Sequence, residues 1–352
     1  MGDLRLGIVG YGLAGRVFHA PLIAATEGLQ MAAIVTADPG RAARAALDHP
    51  HAELLDTPDA LWERAGALDA VVIATSNVVH VELATAAVDH RLPVVVDKPL
   101  APTPDAAEAL IVHAERAGVL LTVFQNRRWD SDQMLLDQLL QNGALGTVMR
   151  CESRLERWRP DPDPAAWRES APPAEGGGQL LDLGSHLVDQ VLHRFGAVRQ
   201  VYAEIDARRG QAGDDDAFLA LSHESGVISH LHASAVTAAP GPRLRVLGSE
   251  AALIVPEPDT QEDRLRAGER PDTVEDWGVE RTPNRPRLIA GDRSVPLTGP
   301  PPGNWPAFYA LLRDALRSGG APPVDPRDAL AALRVIEAAR TSAATHAVVP
   351  LA

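Results

Sequence analysis

Short, continuously apolar runs alternate with stretches of helical periodicity through the first third of this 352-residue chain. The runs are Leu4–Val9, Met31–Val35, Ala70–Ala74, Val94–Val96 and Val119–Phe124. Between them lie Leu13–Thr26, Arg41–Leu47, Val78–His90 and Pro104–Ala117, where apolar residues recur at helical spacing. A strand that is apolar on both faces must be covered on both faces, and helices between such strands supply the cover. The pattern predicts an α/β domain over residues 1–124, built on a doubly wound parallel sheet.

After Phe124 the texture changes. Longer runs follow at Val148–Trp158, Val198–Ala207, Ala217–His223, Val227–Ala235, Leu244–Leu247 and Ala251–Val255, separated by turn residues such as Gly210 and Glu224-Ser225-Gly226. Their two-sided character predicts an α+β domain over residues 125–352: a mostly antiparallel, open-faced sheet with helices on one side. Helices are expected at Gln133–Gln141, Gln179–Phe195, Asn304–Ser318 and Pro326–Thr345, the last able to pack back on the first domain. Pro256–Pro302 is rich in Pro, Gly and charge, and reads as loops with few short strands.

Composition narrows the function. The net charge of −14 opposes a phosphate backbone, so no nucleic-acid partner is expected. No apolar run approaches the about 18 residues of a membrane helix. The N-terminus enters a strand pattern at once, without the zones of a signal peptide, so a soluble, cytoplasmic protein is expected. The single cysteine, Cys151, allows no internal disulfide and no cysteine metal cluster.

Gly10-Tyr11-Gly12-Leu13-Ala14-Gly15 follows the first strand directly and opens a helical stretch. This is G-x-G-x-x-G in the context a dinucleotide needs. Gly10 permits the tight turn, Gly12 lets backbone approach a pyrophosphate, and Gly15 lets helix and strand pack closely. The pyrophosphate then meets free N–H groups at a helix N-terminus. The same residues also occur in ordinary βα turns. An acid at the end of the second strand would hold the ribose 2′-hydroxyl of NAD. Here Thr36 stands at that place, the first acid is Asp38, and Arg41 is close by. With no Arg at 36–38 to hold a 2′-phosphate, the reading is NAD or NADP, tilted to NAD. Asp38 ahead of Pro39 is equally a helix N-cap.

Asp97-Lys98-Pro99 ends the strand Val94–Val96. The C-terminal ends of parallel strands face the cofactor crevice, where a lysine ammonium can stabilise an alkoxide, although a lone lysine at a strand end is more often simply solvated. Asp182 and His186 are four apart, so on a helix they share a face. A histidine beside a carboxylate can act as general base, and the same pair also occurs as a simple helix-stabilising contact. His186 and His193 lack a third ligand, so no metal site is expected. Gly176-Gly177-Gly178 ahead of this helix would admit a ligand or another backbone closely.

Taken together the chain resembles the glucose–fructose oxidoreductase/inositol dehydrogenase superfamily, Gfo/Idh/MocA. The resemblance spans essentially all of it. It rests on Gly10–Gly15 with Phe18-His19-Ala20-Pro21, Thr75-Ser76-Asn77-Val78-Val79-His80, Asp97-Lys98-Pro99 and Asp182-Leu183-Gly184-Ser185-His186. Within the family it is most similar to scyllo-inositol dehydrogenases, through Asn126-Arg127-Arg128-Trp129-Asp130, Trp167-Arg168-Glu169, Gln261-Glu262-Asp263 with Ala267-Gly268, and Gly303-Asn304-Trp305. It implies a Rossmann domain and a substrate domain. It further implies Lys98 as the catalytic lysine, His186 as proton acceptor and Asp182 beside it on a substrate hydroxyl. Gly10, Gly12 and Gly15 would hold the pyrophosphate, with Tyr11, Leu13 and Ala14 in the same turn and Thr36, Asp38 and Arg41 toward the ribose. Thr75, Ser76, Asn77 and His80, with Asp97, would line the nicotinamide side. Asn126, Arg127, Trp129 and Arg157 would border the substrate, although Arg127, Arg128 and Trp129 also read as a packing corner, and Arg157 with Trp158 and Arg159 is open to the same two readings. Asp97 stands where the family more often has Glu, and Ser76 where it usually has Pro.

The implied activity is that of an NAD(P)-dependent dehydrogenase acting on the CH–OH of a cyclic polyol or sugar. A dehydrogenase of another sugar or diol is the neighbouring alternative. A non-catalytic NAD(P)-binding co-regulator is the distant one, which loss of the lysine or histidine would favour. The open sheet face and the family resemblance imply a homodimer or homotetramer.

Overall fold

A computed structural model describes residues 2–163, 167–282 and 284–351. The chain divides into two compact units. One comprises Met1–Trp129, Thr260–Trp277 and Asn304–Leu330, and the other Asp130–Asp259, Gly278–Gly303 and Ala331–Ala352.

The first unit holds a six-stranded sheet of β1 (Leu4–Val9), β2 (Leu29–Val35), β3 (Glu53–Leu55), β4 (Ala70–Ile73), β5 (Val94–Asp97) and β6 (Leu121–Phe124). The strand order is β3-β2-β1-β4-β5-β6, and every pairing is parallel. This is the doubly wound Rossmann arrangement, with its switch point between β1 and β4. Five of the six strands match the apolar runs. The edge strand β3 went unread because it is only three residues long and exposes Glu53 and Leu54.

The expected helix Leu13–Thr26 is not continuous. It begins as a wide π-helical turn, Ala14–His19, and tightens into an α-helix over Ala20–Ala24. Pro21 accounts for the break, since it has no N–H to give back to the preceding turn. The stretch Val78–His90 likewise opens with a 3-10 turn, Asn77–Val79, before the helix His80–Asp89. Pro104–Ala117 is helical as read, capped by the Thr103 side chain on the Ala106 N–H and closed by left-handed Gly118. Leu6, Ile8, Val72 and Val95 form a core with Trp305, Phe308, Tyr309 and Leu312 from the segment around the helix Pro306–Ser318.

The second unit holds a nine-stranded sheet of β7 (Val148–Glu156), β8 (Val198–Asp206), β9 (Asp216–His223), β10 (Ile228–Ser234), β11 (Leu244–Gly248), β12 (Ala252–Val255), β13 (Arg287–Ala290), β14 (Arg293–Pro296) and β15 (Val349–Pro350). Its order is β14-β13-β12-β11-β7-β10-β9-β8-β15, antiparallel except between β7 and β10. Side chains alternate as a half-covered sheet requires. Cys151, Ser153, Leu155, Leu219, Leu221, Leu231 and Ala233 are buried, while Glu152, Arg154, Phe218, His230 and His232 between them are only half-buried. The helix Ser185–Phe195 packs on β7 and β10. Within the segment read as loops with few short strands, β13 and β14 form a hairpin, Ala290 pairing Arg293 across Gly291-Asp292. Gly291 has φ +58°, as a two-residue hairpin turn demands. Burial pushes the Cys151 thiol up to about 12, so it behaves as a core residue rather than a nucleophile.

Candidate active site

The glycine-rich turn sits where the sheet reverses. The Gly10 N–H donates to the Val35 carbonyl at 3.0 Å and the Ala74 N–H to Val9 at 2.9 Å, so the turn lies between the ends of β2 and β4. Each glycine meets a different surrounding. Gly10 has φ +99°, and a Cβ there would lie 2.5 Å from the Ala74 carbonyl oxygen. A Cβ on Gly15 would lie 2.0 Å from the Gly10 oxygen, so that glycine lets helix and turn touch. A Cβ on Gly12 would meet nothing nearer than the Arg41 guanidinium at 3.8 Å. Gly12 thus fronts open space with a cation at its margin. This cradle fits a dinucleotide pyrophosphate, whose oxygens would face backbone N–H groups at the start of the π-helical turn.

Around it, Leu13 is exposed and Ala14 buried. The Tyr11 side chain turns inward, donating to the Asp48 carboxylate at 3.1 Å, and burial and that carboxylate raise its phenol well above its ordinary value. Thr36 follows β2 directly. The Asp38 carboxylate accepts the Arg41 N–H at 2.8 Å, so it caps the helix Pro39–Asp48.

The second group stands at the ends of β4 and β5. Thr75 and Ser76 are half-buried, and Asn77 is buried in the 3-10 turn that follows. His80 is fully buried, its Nδ1 2.8 Å from the Pro99 carbonyl and its Nε2 3.4 Å from that of Thr75. Asp97 ends β5 and its Oδ1 accepts the backbone N–H of Lys98 at 2.9 Å. Burial alone pushes the Asp97 carboxyl upward, but His19, then Lys98 and His80, hold it below the usual carboxylate range. Lys98, itself half-buried, therefore starts from a backbone fixed on both sides: by Asp97 before it and by His80 on the carbonyl after it.

Asn126 to Trp129 form a buried 3-10 turn closing β6. Arg127 pairs with Glu262 and stacks 5.7 Å from the Trp305 ring. Gln261 ties the corner together. Its Nε2 donates to the Trp129 carbonyl at 3.3 Å, and its Oε1 accepts from the Trp277 indole at 3.0 Å and the Trp305 N–H at 2.8 Å. The packing-corner reading of these residues thus has a visible basis.

In the second unit, Asp182 lies in a π-helical turn, Leu180–Gly184, and His186 in the α-helix Ser185–Phe195 that continues it. Single π turns inside helices recur at functional sites, and another, Ala14–His19, overlaps the glycine-rich turn of the first unit. Asp214, which sequence reading passed over, anchors the entry. Its Oδ2 accepts the Leu180 N–H at 2.6 Å, and its own carbonyl accepts the Gln179 N–H at 2.8 Å. One turn beyond His186, Gln190 accepts a 3.0 Å bond from buried Arg243, which also pairs with Asp132 at 3.3 Å. The glycines at 176–178 admit protein rather than open space: a Cβ on Gly177 would lie 2.0 Å from the Ala171 oxygen, and one on Gly178 2.1 Å from Asp214 Oδ1. Arg157 is half-buried after β7, its N–H bonded to the Ser234 carbonyl at 2.8 Å. The side chains of Trp167 and Arg168 lie outside the described residues. Among the described residues no group of three or more His, Cys, Asp or Glu is placed to hold a metal ion.

Comparison with known proteins matches both halves of the chain. Residues 4–125 fit the family description "Oxidoreductase family, NAD-binding Rossmann fold" and residues 133–254 fit "GFO/IDH/MocA C-terminal domain". The chain is 37% identical over 351 residues to the uncharacterized oxidoreductase YdgJ of Escherichia coli K12, covering 99% of each. It is 32% identical over 342 residues to the scyllo-inositol 2-dehydrogenase (NADP(+)) IolW of Bacillus subtilis, covering 96% of this chain and 93% of the other. The solved structure of yvaA from Bacillus subtilis superposes with a TM-score of 0.92 at 31% identity, covering 100% and 99%. The chain belongs to the Gfo/Idh/MocA family of NAD(P)-binding oxidoreductases.

Proposed function

We propose that this oxidoreductase is a dehydrogenase of CH–OH donors, moving hydride between a nicotinamide cofactor and a ring hydroxyl of a cyclic polyol or sugar, with scyllo-inositol and its inosose as the leading pair. The observation that carries the reading is the lysine at the end of β5, held in place at the same strand ends as the glycine cradle. The inositol dehydrogenase relative supports the substrate class, because it aligns over nearly the whole of both chains.

The chemistry divides among the chain's own groups. When bound, the nicotinamide supplies the carbon that accepts the hydride. Lys98 places its ammonium against the oxygen that becomes alkoxide as the C–H bond breaks; one such donor typically contributes about 2.7–4 kcal/mol. His186 takes the hydroxyl proton, a step that contributes about 10²–10⁴-fold. Asp182 orients a neighbouring hydroxyl. His80 and Asp97 hold the Lys98 backbone, Asn126, Arg127 and Trp129 brace the corner beside β6, and Arg157 borders the substrate.

For the cofactor we favour NADP. Thr36 replaces the acid that would select a 2′-hydroxyl, Asp38 is engaged as a cap, and the Arg41 guanidinium reaches the margin of the Gly12 cradle. A cation there suits a 2′-phosphate.

The test is a panel of cyclic polyols, aldoses and diols with NADP and with NAD, followed at the absorbance of the reduced nicotinamide. Turnover of an inositol with NADP is expected. Turnover confined to another sugar or diol would replace the substrate assignment. Tight NADPH binding with no turnover on any of them would turn the reading to a non-catalytic co-regulator.

A further inference from the structure

The motif Phe18-His19-Ala20-Pro21 has no part in the chemistry set out above, yet its histidine is fully buried and faces the catalytic strand end. His19 lies at the end of the π-helical turn that begins just after Leu13. Its ring packs 4.3 Å from that of Phe124, centroid to centroid. Nδ1 is 2.6 Å from the hydroxyl of Tyr309, which is also fully buried. Nε2 points at Asp97 Oδ1 from 3.8 Å, beyond hydrogen-bond reach, and has no hydrogen-bond partner among the described residues. That same Oδ1 accepts the Lys98 N–H.

We propose that His19 and Tyr309 are positioning residues for the Lys98 amine, acting through the Asp97 carboxylate. The inference rests on the assignment of Lys98 made above. His19 Nδ1 shares a short hydrogen bond with the Tyr309 hydroxyl while Nε2 faces the carboxylate, where an imidazole can carry a proton. Tyr309, His19, Asp97 and Lys98 thus form one continuous polar line. Three polar side chains in a cluster of Tyr11, Leu22, Ile23, Phe124 and Phe308 are costly where apolar groups would pack as well. What they achieve is local. Asp97 Oδ1 accepts the Lys98 amide N–H with the imidazole 3.8 Å away, so a turn of the carboxylate breaks the amide bond and carries its charge away from the ring. The lysine stem therefore leaves the strand in a fixed direction. Without His19 only the Lys98 amide restrains the carboxylate, and the ammonium loses its aim.

The experiment compares His19→Phe, His19→Asn and Tyr309→Phe in the full-length enzyme, measuring kcat, KM, NADPH affinity by nicotinamide fluorescence, and melting temperature. His19→Phe is expected to lower kcat about tenfold to a hundredfold, the scale of a misaimed catalytic group, while NADPH affinity stays unchanged. His19→Asn, which keeps a donor, recovers most of that loss, and Tyr309→Phe shows a smaller drop of the same kind. In a Lys98→Ala background, His19→Phe leaves the residual turnover unchanged. The proposal is overturned if kcat is insensitive to His19→Phe and Tyr309→Phe, or if the His19 and Lys98 losses multiply. A wild-type rate in Lys98→Ala alone would instead overturn the parent assignment, which keeps the two failures apart.

Discussion

Gly12 and Gly15 carry the same side chain, and one added methyl separates their roles. Gly15→Ala forces a Cβ against the Gly10 carbonyl oxygen and is expected to destabilise the fold by about 1–3 kcal/mol, as overpacked sites do. Gly12→Ala meets open space, so the melting temperature should hold while NADPH affinity falls by at least about tenfold, near 1.4 kcal/mol. Thermal melts and NADPH titration of both variants check the pair, and a Gly12→Ala protein that binds NADPH normally would contradict the cradle. Arg41 supplies the next prediction. Arg41→Ala should cost a charge-assisted contact of about 1.5–3 kcal/mol, or about 10–100-fold in kcat/KM with NADP, and leave NAD turnover unchanged. Equal losses with both cofactors would remove Arg41 from cofactor choice. Sequence alone reads NAD or NADP with a tilt to NAD; the proposal of NADP rests on the Arg41 guanidinium beside Gly12, a neighbour that spacing along the chain does not show.

Elements were legible where one signal dominated. The continuously apolar strands of the first unit and the alternating strands of the second stood out because burial sets their period. Short edge pieces did not. β3 and β15 have two or three residues each, and only pairing with a neighbour defines them. The β13–β14 hairpin had a readable Gly291-Asp292 turn, but it lay in a segment crowded with proline. The motif residues Asp97, Lys98, Asp182 and His186 were visible in the sequence, as were His19 and His80, but not which groups the two histidines face. Asp214 sits in a run of three aspartates that looks like a solvated loop, and only the structure shows it buried against Gly178 and the Leu180 amide.

That brace carries its own pH signature. Burial raises the Asp214 carboxyl above its ordinary 3.8, against the opposing pull of the Leu180 amide and Arg340. A raised folded value means that the native state holds the proton more tightly. The charge therefore costs stability at neutral pH, and the cost is relieved as pH falls through the folded value toward 3.8. Asp214→Asn, which has no charge to titrate, should lack that relief. The stability of the variant relative to wild type should fall across this window, and a difference independent of pH would contradict the buried-charge assignment. Asp214→Ala removes the cap itself and is expected to cost about 0.5–2 kcal/mol in denaturant melts at neutral pH.

At the scale of the whole molecule, no helix among the described residues is long and apolar enough to cross a membrane. The second unit's sheet covers one face with helices and leaves Glu152, Arg154, Phe218, His230 and His232 on the other. Phe218 packs against both histidines, at 5.7 and 5.0 Å between ring centroids, which gives that face an aromatic centre with charges around it. We propose that a second copy of the chain covers it. Light scattering should report a dimer or tetramer, and Phe218→Glu should shift the mass toward the monomer. A monomeric wild type would remove the proposal.

The claim on which the rest depends is that Lys98 and His186 serve one hydroxyl group. A crystal structure of the enzyme with NADP and a turned-over cyclic polyol addresses it directly. The account expects Lys98 Nζ and a His186 ring nitrogen both within about 3.2 Å of the same substrate oxygen, or joined to it through one water. A bound polyol whose reacting oxygen meets only one of the two side chains, with the other in a separate cavity, would contradict it.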